Sequence, residues 1–232
     1  MRLGKEDILY EDDEIIVCRK KAGIATQTSR PGEADMASAL RNYLKTAYIG
    51  VVHRLDQPVE GILVFARTKK SAARLSEQNR EKTMCKHYCA AAVSLSGKVE
   101  KGEYVLADYL LKDGKENISK VVEKGTPGAK RAELAYKIIK IKQTGEQQVV
   151  LLEIVLKTGR HHQIRVQLSH AGLPLLGDAK YGGRTAQVPD GEHPVKNVAL
   201  CADRLEFLHP VTGKRMSFEI EPSDAVFHIF SS

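Results

Sequence analysis

Short apolar runs recur along the chain, separated by polar stretches that contain glycine or proline. Runs of about 4–8 residues bounded by turn-forming residues are typical of β-strands, particularly when they are rich in β-branched residues. Gly145 separates two such runs and predicts a hairpin between them. The predicted strands are 14–20, 61–67, 85–94, 103–111, 131–142, 147–157, 198–207 and 215–220.

Three stretches have helical spacing instead. Asp35 precedes apolar residues at i, i+4 and i+8, and Thr68 precedes a second helical pattern. Both residues can cap a helix N-terminus with a side-chain oxygen. The predicted helices are 36–47, 69–82 and 160–171, and the last is stopped by Gly172-Leu173-Pro174. Polar segments 24–35, 113–130 and 183–196 are predicted loops, and the middle one is expected to be mobile.

Strands in series with a few helices predict an α+β fold with a largely antiparallel sheet. The chain has 232 residues, which suits one large domain or two small ones. Neither an internal repeat nor a low-complexity linker divides the sequence, so composition alone does not choose between these possibilities.

The charge and the N-terminus limit the partners and the location. The net charge of +7 suits a polyanion such as RNA, although ordinary solubility explains it equally well. Aromatic content of 6% without tryptophan argues against an open surface that stacks single-stranded bases. We expect a cytoplasmic protein that does not enter the membrane, since an apolar run of about 18 residues and a signal segment are both missing from the sequence.

The cysteines predict neither a disulfide framework nor a metal site. Cys18, Cys85, Cys89 and Cys201 are few and scattered. Cys85 and Cys89 fall on one face of a predicted strand, and no second Cys/His pair has metal-ligand spacing. We therefore expect no metal.

Two dense polar clusters interrupt the apolar pattern about a hundred residues apart. The first is Val51-Val52-His53-Arg54-Leu55-Asp56, followed by the apolar strand that starts at Gly61. The second is Thr158-Gly159-Arg160-His161-His162-Gln163-Ile164-Arg165-Val166, followed by Gly177-Asp178 and Tyr181. Clusters this dense, each tied to a strand or a helix, are interpreted as halves of one site.

Together these motifs resemble those of the RluA-type pseudouridine synthases, from about Ile8 to about Pro210. The resemblance implies one catalytic domain over residues 1–232, with a twisted, largely antiparallel mixed sheet flanked by helices and an active-site cleft across the sheet. It also implies that no separate N-terminal RNA-binding domain precedes the catalytic one.

The resemblance assigns the catalytic roles. Asp56 matches the family's catalytic carboxylate, and the alternative is an ordinary turn aspartate. Arg165 matches the arginine that pairs with that carboxylate and keeps it ionised; a solvated helix charge is the alternative. Tyr88 matches a tyrosine that stacks on the uracil, and its alternative is a core tyrosine.

Further residues are implied around these three. Arg54 matches a residue that helps to displace the target nucleotide, and Leu55 is expected to pack beneath the site. Arg160 and Gln163 are expected to shape a turn and to bind RNA or backbone. His53 is expected to be a satisfied structural histidine near the site, and Gly177-Asp178 a structural turn.

Several residues depart from the family pattern. Glu60 and His161 each replace a serine or threonine, Lys21 replaces a proline and Cys201 replaces a histidine. We hypothesise that Glu60 and His161 contact each other and support Asp56 and Arg165. The alternative is that Glu60 faces solvent or pairs with Arg54.

The resulting functional hypothesis is a monomeric RNA uridine isomerase without a cofactor. Ribosomal and transfer RNA are both substrates in the family that the chain resembles. A catalytically silent RNA-binding protein on the same scaffold is the first alternative. The second is a metal-independent nucleic-acid hydrolase, which would require Glu60 to serve as a second carboxylate.

Overall fold

A computed structural model describes residues 3–28, 30, 32–182 and 195–230. The chain divides into two compact units, one formed by Met1–Lys86 with Cys201–Glu221 and the other by His87–Leu200 with Pro222–Ser232. Among the described residues, no helix is long and apolar enough to cross a membrane.

Eleven strands and three α-helices are described, with short 3-10 helices at Lys5–Asp7 and Ala225–Phe230. In chain order they are β1 (Ile8–Glu11), β2 (Ile15–Lys20), α1 (Met36–Leu44), β3 (Gly50–Val51), β4 (Glu60–Ala66), α2 (Lys69–Glu81), β5 (Cys85–Ser94), β6 (Gly102–Asp113), β7 (Ile118–Val122), β8 (Lys130–Thr144), β9 (Gln147–Leu156), α3 (Gln163–His170), β10 (Leu200–Leu208) and β11 (Arg215–Glu219).

The first unit is built around β4, which is buried along its whole length. β2 pairs with β4 in antiparallel register and β10 pairs with it in parallel register, while β1 extends the sheet beyond β2. β3 pairs with β4, and β11 pairs with β10. One buried cluster fills the core on one face of these strands: Ile15, Val17, Ile62, Val64, Leu75, Leu205 and Phe207.

The second unit has the antiparallel strand order β5–β9–β8–β6–β7. β8 and β9 form the predicted hairpin, with Gly145 at a φ of 59° in its turn. Val166 of α3 packs on Leu110 and Ala132. The second core cluster lies against the C-terminal 3-10 helix and contains Ala91, Val93, Val149, Leu176, Val226 and Ile229.

The α+β class and the largely antiparallel sheet are confirmed by these strands. The eight predicted strands and the three predicted helices are all present, with ends that differ by a few residues. Asp35 and Thr68 both cap their helices, accepting from the amides of Ser38 and Ser71. That the chain is one catalytic domain stays a prediction.

Two predictions about local structure were wrong. Segment 113–130 is not simply a mobile loop, because β7 lies within it and pairs with β6 over Tyr109–Asp113. Helix α3 begins at Gln163 instead of residue 160, because His162 adopts a left-handed φ of 52° just before it. Of the predicted loop 183–196, residues 183–194 lie outside the described part of the chain.

Candidate active site

Asp56 lies in the connection between β3 and β4, in a turn closed by a hydrogen bond from the Val59 amide to the Asp56 carbonyl at 3.1 Å. Leu55, buried next to it, exchanges two 3.1 Å hydrogen bonds with the Thr26 hydroxyl. The Gly23 amide donates to the Gln57 carbonyl at 2.8 Å. The segment that follows β2 therefore fixes the backbone on both sides of Asp56, whose side chain remains partly exposed.

Lys20, the last residue of β2, has a fully buried side chain beneath this turn. Its ammonium donates to the carbonyls of Ile24 at 2.7 Å, Gln57 at 3.1 Å and Lys21 at 3.2 Å. Burial lowers the pKa of Lys20 to about 8, while the charges of Asp56 and Glu60 oppose that shift. Lys20 therefore lies directly beneath the turn that contains Asp56 and holds it through the carbonyl of Gln57. The sequence singled out the neighbouring Lys21 as a departure from the family pattern and gave Lys20 no role.

His53 is buried between β3 and β4 in the chain, and its ring hydrogen-bonds to the backbone of β4. Its Nε2 accepts from the Val64 amide at 3.2 Å, so the neutral ring carries its hydrogen on Nδ1. Within the described part of the chain, that Nδ1 is buried and has no hydrogen-bond partner. Burial, followed by the charge of Lys86, lowers the pKa of His53 to about 3. His53 therefore has the expected structural role through the hydrogen bond at Nε2, but it is not the fully hydrogen-bonded histidine that was expected.

Arg54 and Glu60 flank Asp56 in opposite environments. Arg54 is exposed and donates to the Gln27 side chain at 3.0 Å. Glu60 is 5% exposed, and its carboxylate lies 3.1 Å from the Arg19 guanidinium. The alternative that Glu60 faces solvent was therefore wrong, and the ion pair described for it is with Arg19 instead of Arg54.

Arg165 is 4% exposed on α3 and forms a two-pronged ion pair. Its Nε and Nη2 donate to the two carboxylate oxygens of Asp178 at 2.8 and 2.7 Å. The guanidinium carbon also lies 5.2 Å from the centre of the Tyr181 ring. The alternative of a solvated helix charge is thus wrong for Arg165. Asp178 closes its predicted turn by accepting from the amides of Lys180 and Tyr181, and it anchors the arginine as well.

His161 precedes α3, although the predicted helix 160–171 would have included it and placed it one turn from Arg165. Its Nδ1 lies 3.0 Å from the Ser119 hydroxyl, and its Nε2 lies 3.0 Å from the Asn117 side-chain oxygen. Its ring stacks on the ring of His162, with 3.7 Å between the two ring centres. His161 therefore connects the start of α3 to β7, an arrangement that sequence reasoning missed because β7 was not predicted.

Gln163 and Arg160 shape the turn before α3. The Gln163 amide accepts from the Arg160 backbone at 2.9 Å and from the Thr158 hydroxyl at 2.8 Å, and it donates to the Glu133 carbonyl at 3.1 Å. Gln163 therefore bonds to the backbone and shapes the turn before α3, and its binding of RNA stays a prediction. Arg160 is exposed, and its Nε donates to the Arg131 carbonyl at 2.9 Å, which orients the guanidinium.

The two predicted halves of the site belong to different units. Asp56 and Glu60 lie in the first unit, whereas Tyr88, His161 and Arg165 lie in the second. Tyr88 is 6% exposed on β5, opposite Ile154 of β9. The pairing of Asp56 with Arg165 and the contact of Glu60 with His161 both stay predictions. Among the described residues, no group of three or more His, Cys, Asp or Glu side chains is placed to hold a metal ion.

Comparison with solved structures shows where this architecture occurs. The human protein called RNA pseudouridylate synthase domain containing 1 has a TM-score of 0.74 and 19% identity to this chain. The match covers 96% of this chain and 86% of the human chain. A second human protein, RNA pseudouridylate synthase domain containing 4, has a TM-score of 0.70 and 21% identity. That match covers 95% of this chain and 90% of the human chain. At this identity the likeness establishes the fold.

Sequence comparison establishes the family. An uncharacterized RNA pseudouridine synthase, YhcT of Bacillus subtilis, is 32% identical over 91% of this chain and 67% of its own length. Ribosomal large subunit pseudouridine synthase D of Nitrosomonas europaea is 35% identical over 91% of this chain. Synthase C of Vibrio vulnificus is 31% identical over 90% of it. The chain spans 60% and 63% of the lengths of these last two relatives. The RNA pseudouridylate synthase family profile matches residues 14–170, and the chain belongs to that family.

Proposed function

We propose that this protein is an RNA pseudouridine synthase that isomerises uridine to pseudouridine in structured RNA. The observation that carries the proposal is Asp56, which stands in its His-Arg-Leu-Asp motif inside the matched region, in a turn fixed on both sides by the segment after β2. A reactive carboxylate requires such a fixed, partly exposed position, because small displacements from reacting geometry are costly.

The proposed reaction breaks the bond from ribose C1′ to uracil N1, turns the base and rejoins it through C5. The proton on C5 is then lost and N1 gains a proton, so that uridine and pseudouridine are isomers. Asp56 supplies the carboxylate, Tyr88 stacks on the base and Arg165 keeps Asp56 ionised. Arg54 has an exposed guanidinium and helps to displace the uridine from its stack, which costs a few kcal/mol. We propose that both units act together as one catalytic domain, monomeric, cytoplasmic and without a cofactor.

The names of the relatives and the exposed positive charges support an RNA substrate. Two of the similar proteins are named for the large ribosomal subunit, which favours ribosomal RNA over transfer RNA as the first substrate to test. Exposed cations at one end of the second unit would neutralise the phosphates of the RNA. They lie where β8 begins, where β9 ends and in the turn before α3, and they are Lys130, Arg131, Lys157 and Arg160.

Pseudouridine mapping tests this function. Ribosomal and transfer RNA would be mapped at single-nucleotide resolution from cells with and without the gene. Each site that is lost would then be restored by adding purified protein to the unmodified RNA. We expect at least one uridine to depend on the gene and to be converted in vitro. Binding to the RNA without conversion at any position would instead support the catalytically silent alternative.

A further inference from the structure

Two consecutive cations at the end of β2 hold the Asp56 turn from opposite faces of the strand. Successive side chains of a strand point to opposite faces. Lys20 reaches the carbonyl of Gln57, the residue that directly follows Asp56, at 3.1 Å. Arg19 reaches the carboxylate of Glu60, where the turn enters β4, at 3.1 Å.

The contact between Arg19 and Glu60 is a partly buried ion pair. Glu60 is 5% exposed, and the side chain of Arg19 is 24% exposed. The same Arg19 Nη2 donates to the Glu221 carbonyl at 2.9 Å, which fixes the guanidinium at a second point. Glu60→Gln or Arg19→Gln would therefore remove a charged contact that holds this nearly buried carboxylate.

The ion pair of Arg19 with Glu60 lies at the end of the turn that contains Asp56. Thr26 holds the residue before Asp56, Lys20 holds the residue after it, and Arg19 holds the exit of the turn through Glu60. The charge of Glu60 also acts on Lys20, as does that of Asp56.

We propose that Arg19 and Glu60 are positioning residues for Asp56, and this inference rests on the proposed function. Their ion pair fixes the exit of the turn, so that the Asp56 carboxylate is held at the angle that the reaction requires. Such a pair changes the rate of the chemical step and leaves RNA binding nearly unaltered.

The kinetic test uses Glu60→Gln, Arg19→Gln and the double variant. We expect each single variant to lower kcat about tenfold or more with KM for RNA within about twofold, since misplacement of a reacting group acts on the chemical step. The double variant should be no slower than the slower single variant, because both remove one interaction. Glu11→Gln is the matched control. It breaks the Arg67–Glu11 pair, whose arginine is 25% exposed like Arg19 and whose glutamate is more exposed than Glu60 at 32%, and it should leave kcat unchanged.

Hydrogen exchange gives a second readout that does not require activity. The amides of Asp56, Gln57, Val59 and Glu60 should exchange faster in Glu60→Gln and Arg19→Gln than in the wild type and in Glu11→Gln, with β8 unaffected. Folded variants with wild-type exchange in this turn, or with wild-type kcat, would overturn the proposal. If the wild-type protein converts no uridine although the turn loosens in the variants, the proposed function fails and the structural role of the pair stands.

Discussion

The residues around Asp56 show how burial sets the chemistry of single side chains. Lys20 is buried as a cation but has three carbonyl acceptors, so its charge is well accommodated. His53 is buried with one nitrogen accepting a backbone hydrogen bond and the other without a partner in the described structure. A proton added to His53 would cost that accepted hydrogen bond and place a charge in an apolar setting.

His53 should therefore make the fold sensitive to acid. The pKa of His53 is about 3 in the folded protein, against an ordinary value of 6.5. Below pH 6.5 the unfolded chain binds a proton that the folded chain does not, so stability is lost as the pH falls from 6.5 towards 3. Relative to His53→Gln, which cannot titrate, the wild type should lose ~1 kcal/mol of unfolding free energy per pH unit in this range.

Urea unfolding at several pH values, with each protein at one concentration, measures this difference. Carboxylates that titrate in both proteins cancel in the comparison. Parallel loss of stability in the wild type and in His53→Gln would show that His53 is not the group responsible.

At the scale of elements, signals within a few residues of sequence predicted the structure well. Asp35 and Thr68 each cap a helix because the required amide lies only three residues away. β7 was missed because its short Ile-Ser-Lys-Val-Val run lies between polar, glycine-containing stretches, and it forms a strand by pairing with β6. The ion pair of Glu60 with Arg19 was missed for the same reason, since the register of β2 against β4 brings the two together. Pairing between distant segments is not encoded in local periodicity.

The junction of β4 with β10 offers a test of packing next to the Asp56 turn. Gly61 has a φ of 144°, and a Cβ there would lie 2.4 Å from the Ala202 Cβ and 2.6 Å from the Ala202 backbone nitrogen. Gly61→Ala should lower the free energy of unfolding by more than ~2 kcal/mol, because strand backbone cannot move aside cheaply. Gly114→Ala is the control, since a Cβ there meets nothing within 4 Å. Equal effects of both substitutions on urea unfolding would refute this account of the junction.

At the scale of the whole molecule, the net charge of +7 predicts how RNA binding responds to salt. Each phosphate that a cation neutralises releases counterions, so affinity should fall steeply between low and physiological salt. Arg160→Gln should reduce the slope of log affinity against log salt by about 1. Lys101→Gln, an exposed cation just before β6, should leave the slope unchanged. A flat salt dependence in filter binding would argue against an RNA substrate.

The proposed isomerisation requires the carboxylate of Asp56. The most direct measurement is single-turnover pseudouridine formation by Asp56→Asn on an RNA that the wild type converts, together with the affinity of the variant for that RNA. We predict that conversion is abolished while the dissociation constant changes less than about tenfold, or ~1.4 kcal/mol, because the amide keeps the shape and loses the charge. Asp13→Asn, at an exposed position, should convert RNA at the wild-type rate. Conversion by purified Asp56→Asn at the wild-type rate would contradict the account.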